Sequence, residues 1–161
     1  MNGKVFKYGD NINTDVIIPA RYLNTFDSKN LALHCMEDID KNFSKTVCVG
    51  DIIVGGENFG SGSSREHAPL AIKASGVSII IAKSFARIFY RNCINIGLLV
   101  IENSELADKL SNNDMLSINL DNFTLFNITS NCSYSLPALP DFAKKIFMCG
   151  GLINAVKGGL L

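Results

Sequence analysis

The stretch Asp51-Ile52-Ile53-Val54-Gly55-Gly56-Glu57-Asn58-Phe59-Gly60-Ser61-Gly62-Ser63-Ser64-Arg65-Glu66-His67 decides the fold class. Its opening β-branched run predicts a strand, and the glycines that follow stop it. Ala68, Leu70, Ala71, Ile72 and Ala74 then predict a helix that closes at Gly76, the residue type that best tolerates the left-handed conformation after a helix. Further along, residues 77–82 are continuously apolar, as in a strand buried on both faces. Ser84 is expected to cap a helix carrying Phe85, Ile88, Phe89 and Cys93 as far as Gly97, and Leu98-Leu99-Val100-Ile101 predicts the next strand. The order over residues 51–101 is therefore βαβαβ, an α/β pattern that predicts parallel strands with right-handed crossovers.

On the N-terminal side, Val5-Phe6-Lys7-Tyr8 alternates like a short strand and runs into Gly9-Asp10-Asn11-Ile12-Asn13-Thr14-Asp15, a cluster of turn formers. Val16-Ile17-Ile18-Pro19 is a compact apolar run closed by proline. Arg21, Tyr22, Leu23, Asn24, Thr25 and Phe26 follow as an exposed set that has the character of a functional loop. Ser28 is expected to cap a helix over residues 28–39, with Leu31, Leu33, Cys35, Met36 and Ile39 as its apolar positions. On the C-terminal side, residues 115–120 and 123–128 alternate around Asp121-Asn122, as in a hairpin. Asp141 is expected to cap a helix over residues 142–148, and a Gly150-Gly151 break precedes an apolar segment at 152–156. No repeat or linker divides the chain, so residues 1–161 are expected to form one domain.

Fifteen Lys plus Arg balance fifteen Asp plus Glu, which removes the positive field that nonspecific nucleic-acid binding needs. No apolar run approaches the roughly 18 residues of a membrane span, and Met1-Asn2-Gly3-Lys4-Val5-Phe6-Lys7 lacks the apolar core of a signal peptide. The expectation is a cytoplasmic protein with neither a nucleic-acid nor a membrane partner. Cys35, Cys48, Cys93, Cys132 and Cys149 are scattered without a C-x-x-C pair, and His34 and His67 lack H-x-x-x-H spacing. No metal ligand set is expected here, so any iron–sulfur ligands would come from another chain. The cysteines are expected to be small buried apolar groups.

The chemistry concentrates at Gly60-Ser61-Gly62-Ser63-Ser64-Arg65-Glu66-His67. Glycines let backbone approach a ligand, and the first amides of a helix are unpaired donors at the positive end of its dipole. A phosphate loop would need Gly-Lys-Ser/Thr, a dinucleotide fingerprint a third glycine where Arg65 stands, and a hydrolase elbow glycines two residues either side of a serine; none fits. Two readings remain. Arg65 can hold a carboxylate bidentately and stabilise a Ser63 alkoxide, or Ser63 and Ser64 simply cap the helix. His67 beside Glu66 invites a serine–histidine–acid reading, but one turn into a helix the ring should point away from the serines, so packing is favoured for it. His34 is expected to be a surface or core residue of its helix.

Three blocks then become recognisable: residues 9–19, Glu57 through Pro69, and Ala82-Lys83-Ser84-Phe85-Ala86-Arg87-Ile88-Phe89-Tyr90-Arg91-Asn92. Together they resemble the aconitase superfamily, and within it the family of 3-isopropylmalate dehydratase small subunits, over essentially the whole chain. The resemblance implies a swivelling β/β/α three-layer domain of the aconitase C-terminal type. It also implies a separate large subunit carrying a four-iron, four-sulfur cluster, in a heterodimer or heterotetramer, with no cofactor in this chain. A hydroxy-diacid is the implied substrate, isomerised by dehydration and rehydration in leucine biosynthesis. Ser63 matches the family's catalytic base and Arg65 a carboxylate-binding arginine, on a turn built from Gly60, Gly62 and Ser64. Tyr22, Leu23, Asn24 and Thr25 fall in the loop that meets the variable end of the substrate. Relatives handling an extra carboxylate resemble Tyr-Leu-Arg-Thr there, and Asn24 at the arginine slot points to an apolar substituent such as isopropyl. Glu66, His67, Lys83 and Arg87 receive no role from the resemblance. The alternatives are a homoaconitase or methylmalate-type small subunit, and a noncatalytic anion-binding or interaction module.

Overall fold

The computed structural model describes residues 1–160. The elements in chain order are β1 (Asn2–Lys7), α1 (Thr14–Ile17), a 3-10 turn (Ala20–Tyr22), α2 (Ser28–Leu33), α3 (Phe43–Thr46), β2 (Ile52–Gly55), α4 (His67–Ala74) and β3 (Ile79–Ala82). They continue with α5 (Arg87–Ile96), β4 (Leu99–Glu102), α6 (Ser104–Lys109), β5 (Met115–Asn119), β6 (Thr124–Asn127), β7 (Cys132–Ser135), α7 (Asp141–Met148) and α8 (Leu152–Lys157). Seven strands form one sheet in the order β4-β3-β2-β1-β5-β6-β7, parallel from β4 to β1 and antiparallel from β1 to β7.

The expected βαβαβ unit is present as β2-α4-β3-α5-β4, and β1 adds a fourth parallel strand beside β2. β1 changes partner along its length. Asn2, Gly3 and Lys4 pair with β5, whereas Val5, Phe6 and Lys7 pair with β2. The sheet therefore turns about β1, and alternation of side chains sends neighbouring residues into different cores. Phe6, Ile53, Ile80 and Val100 join the core under α1 to α5, while Val5, Ile52, Ile79, Ile81 and Leu99 join one closed by Leu116, Ile118 and Leu125 of the antiparallel half and by Leu106 of α6. The result is the β/β/α arrangement: helices on one face of the parallel strands, the curled antiparallel strands on the other. Every residue of β2 and β3 is consequently buried.

Several local expectations are corrected. α2 stops at Leu33 rather than Ile39, because Met36 takes a left-handed φ of 62°, and its cap is Asp27, whose carboxylate accepts from the Lys29 N–H at 3.0 Å. Ser84 does not cap α5; its hydroxyl accepts from the Asn58 N–H at 2.8 Å and donates to the Glu57 carboxylate, so the helix begins at Arg87 after Ala86. Asp141 is the first residue of α7, with Pro140 at the cap position. The hairpin turn spans residues 120–123, and a third antiparallel strand, β7, extends it. Only Cys35 and Cys93 are buried; Cys48 and Cys132 are exposed and Cys149 lies between. No helix among the described residues is long and apolar enough to cross a membrane.

Candidate functional site

In a parallel sheet the loops leaving the carboxyl ends of the strands gather on one edge, where ligand sites form. Here the loops after β1, β2 and β3 are laced together by their backbones. Gly56 donates to Gly9 (3.0 Å), Asn11 to Glu57 (2.8 Å), Gly60 to Ile12 (2.7 Å) and Thr14 to Ser61 (2.8 Å). On the other side Phe59 donates to Ser84 (3.0 Å) and Ala86 to Phe59 (2.9 Å). The glycine-rich segment thus lies as a short rail between two neighbours, and its end, residues 62–66, makes no backbone–backbone hydrogen bond to either. Gly60 makes this possible: its φ is 78°, and an added Cβ would meet the Phe89 ring at 2.1 Å.

The serines are not helix caps. α4 begins at His67, Glu66 occupies its cap position without a side-chain bond, and Ser63 and Ser64 stand exposed in the loop before it. The Ser63 carbonyl accepts the Thr14 hydroxyl (3.2 Å) and the Arg65 N–H (2.8 Å), which fixes the turn while the Ser63 hydroxyl makes no hydrogen bond to the described residues. Among the described residues the N–H groups of Gly62, Ser63 and Ser64 make no hydrogen bond. Arg65 is one-third exposed and pairs through Nη1 with Asp15, a partner that sequence reasoning did not assign. Nη2 and Nε remain available, since a guanidinium has five donors. Thr14, Ser63, Arg65, Arg87, Phe89 and Asn92 are among the residues lining a cleft of about 320 Å³ at this edge.

A larger cleft of about 500 Å³ carries Lys73 and borders α4, α5 and α8. Its ammonium is already bonded to the carbonyls of Ile96 and Gly150, and burial lowers its pKa. This lysine ties helix ends together. Of these two the smaller cleft is the better chemical site, because it joins an unbonded hydroxyl, free amides and guanidinium donors.

The 20–27 loop lies against α2 and α4. Tyr22 and Leu23 are half-buried on the helical core, Asn24 is exposed, and the Thr25 hydroxyl accepts from the Asp27 N–H at 3.0 Å. Arg21 is committed to Glu37 and Asp38 and lies 4.9 Å over the Tyr22 ring. His34 is neither plain surface nor core: it ends α2, stacks on Tyr22 at 3.7 Å and shares a 2.8 Å hydrogen bond with Glu37. Burial works against a charged Glu37, yet hydrogen bonds from His34, Tyr22 and Arg21 outweigh it and hold its pKa below the usual carboxylate value. His67 makes no hydrogen bond to Ser63; its ring stacks on Phe26 instead. Lys83 pairs with Asp108 at 2.6 Å, away from the turn, and Arg87 opens α5 at the cleft. Glu66 is exposed. Among the described residues no group of three or more His, Cys, Asp or Glu could hold a metal ion.

Residues 45–106 match the aconitase C-terminal domain family. The chain is 61% identical to the 3-isopropylmalate dehydratase small subunit of Brachyspira hyodysenteriae over 155 residues, covering 96% of this chain and 95% of that one. It is 60% identical to the protein of the same name from Caldanaerobacter subterraneus, covering 98% of each. The crystal structure of 3-isopropylmalate dehydratase from Methanocaldococcus jannaschii superposes with a TM-score of 0.92 at 45% identity, covering 99% of this chain and 94% of that one.

Proposed function

Because the chain belongs to the family of 3-isopropylmalate dehydratase small subunits, hydro-lyase components acting in leucine biosynthesis, we propose that Ser63 is the base of the reaction and Arg65 a substrate-carboxylate ligand. The observation that carries this reading is that an exposed Ser63 and Arg65, with guanidinium donors to spare, line one cleft at a turn whose 62–64 N–H groups are unpaired.

The substrate is a hydroxy-diacid, 2-isopropylmalate. Dehydration removes its hydroxyl and a proton from the adjacent carbon, and rehydration of the enoic diacid returns the hydroxyl to the other carbon. Ser63 takes the carbon-bound proton in one half and returns it in the other, as microscopic reversibility requires. An ordinary serine is too weak a base for this. Free N–H groups and a guanidinium near an oxygen favour its alkoxide, because the charge meets fixed donors rather than solvent that must reorganise. The same guanidinium offers Nη2 and Nε to a substrate carboxylate while Asp15 holds Nη1, so the arginine is aimed before substrate arrives.

The residues of this chain do not suit an iron–sulfur cluster, since no adequate ligand group occurs among those described. On this reading the cluster and the remaining catalytic groups belong to a large subunit, with which this chain forms a cytoplasmic complex, and the cleft at Ser63 faces that partner. Residues 1–161 act in it as one swivel domain.

The test is turnover of 2-isopropylmalate by the co-purified complex. Ser63→Ala is expected to lower kcat by about 10²–10⁴, the usual contribution of a positioned base, with assembly intact. Arg65→Lys is expected to lower kcat/KM by about 10–100-fold, because an ammonium cannot reproduce the planar fork. Near-normal turnover in Ser63→Ala would reject the base assignment.

A further inference from the structure

The chain has two histidines, and each stacks on an aromatic ring of the 20–27 loop, at opposite ends of it. At one end Tyr22 lies flat on His34, with centroids 3.7 Å apart and planes 8° from parallel. That stack belongs to an ionic cluster with Arg21, Glu37 and Asp38. At the other end Phe26 lies on His67, with centroids 4.2 Å apart and planes at 32°. This second stack has no ionic support. His67 Nε2 is buried without a hydrogen-bond partner, and Phe26 is 69% exposed; Asp27 ties this end of the loop to α2 as its cap, and the ring contact ties it to α4.

His67 is also the residue on which the glycine turn lands. It follows Arg65 by two positions and opens α4, whose Ala68, Ala71 and Ile72 are fixed in the helical core. A shallow pocket bordered by Phe26, Ser64, Arg65 and His67 shows that loop and turn share one surface. We infer that His67 is a positioning residue: its imidazole face holds Phe26, and through it the 20–27 loop, in register with the Ser63–Arg65 turn. The inference rests on the reading above that this loop covers the variable end of the substrate. The imidazole acts as a ring, not as a base, since its Nε2 reaches nothing that could receive or give a proton.

The test uses the assembled enzyme and two readouts. His67→Ala is expected to raise KM for 2-isopropylmalate about two- to tenfold, the range a ring pair supports, with kcat changed less than twofold. His67→Phe keeps the ring and restores KM; His67→Gln keeps polarity without the ring and does not. Phe26→Ala, at an exposed position whose loss cannot empty the core, is expected to repeat the defect, Phe26→Tyr to correct it, and the Phe26→Ala, His67→Ala pair to be no worse than either alone. Hydrogen exchange supplies the independent readout: amides of residues 20–27 exchange faster in His67→Ala and return to wild-type rates in His67→Phe. Unchanged loop exchange in His67→Ala overturns the clamp, as does a His67→Phe variant as impaired as His67→Ala. Faster loop exchange with an unchanged KM supports the clamp and instead overturns the assignment of this loop to the substrate.

Discussion

Asn24 stands exposed on the loop that borders the proposed catalytic turn, and on the proposed reading its neutral amide lies where a charge would select for a third carboxylate. Asn24→Arg is expected to raise kcat/KM for homocitrate-type triacids by about tenfold or more, the scale of one charge-assisted hydrogen bond, and to lower it for 2-isopropylmalate. Specificity constants of the assembled enzyme for both substrates check this; no gain with the triacid would remove Asn24 from the specificity role. Arg21 does not substitute for the missing charge, because Glu37 and Asp38 already hold it. At this scale the glycine turn that brings Ser63 and Arg65 to one cleft was legible in the sequence, since glycines between a strand and a helix mark a tight turn. Asp15 was not. Its pairing with Arg65 joins positions fifty apart, and no local spacing encodes such a contact.

The strand β2, its glycine rail and α4 form the element that carries the proposed site, and Gly60 is tightly constrained within it. Gly60→Ala places a methyl at a φ of 78° and 2.1 Å from the Phe89 ring, so a cost of about 1–3 kcal/mol is expected together with loss of turnover. Gly9→Ala, where an added methyl meets nothing within 4 Å, is the control and should lie within about 0.5 kcal/mol of wild type. Chemical denaturation of the two variants measures the difference. The strands and the crossover helices were legible here because continuous apolar runs and helical spacing reflect burial directly. The helix starts were not, since serine preference gave caps at Ser28, Ser63 or Ser64, and Ser84, whereas Asp27, one residue before Ser28, takes the cap of α2, α4 starts beyond Ser63 and Ser64, and loop-to-loop bonds claim Ser84. Capping signals are local and weak, about 1 kcal/mol, so a tertiary hydrogen bond of similar size displaces them.

Across the whole molecule burial divides the cysteines by chemistry. Cys35 and Cys93 lie under the helices, where burial raises their thiol pKa, so little thiolate forms near neutrality. Iodoacetamide at mildly alkaline pH is expected to label Cys48 and Cys132 in the native chain, Cys149 more slowly, and Cys35 and Cys93 only after denaturant is added; peptide mass spectrometry reads the order. The parallel half of the sheet was legible from its βαβαβ order, but its curl was not. Val5 and Phe6 are both apolar, and nothing in their sequence says that one faces the helices and the other the antiparallel strands. That same β1 has a consequence for biosynthesis. It leaves the ribosome before the other six strands, yet half of its backbone partners lie in β5, residues 115–117. At ordinary elongation rates of roughly 5–20 residues per second they emerge on the order of ten seconds later. During that interval Asn2 to Lys4 lack their strand partner and Val5, Ile52 and Ile79 lack the antiparallel strands that close their core, so apolar surface stays open to chaperones while translation is still under way.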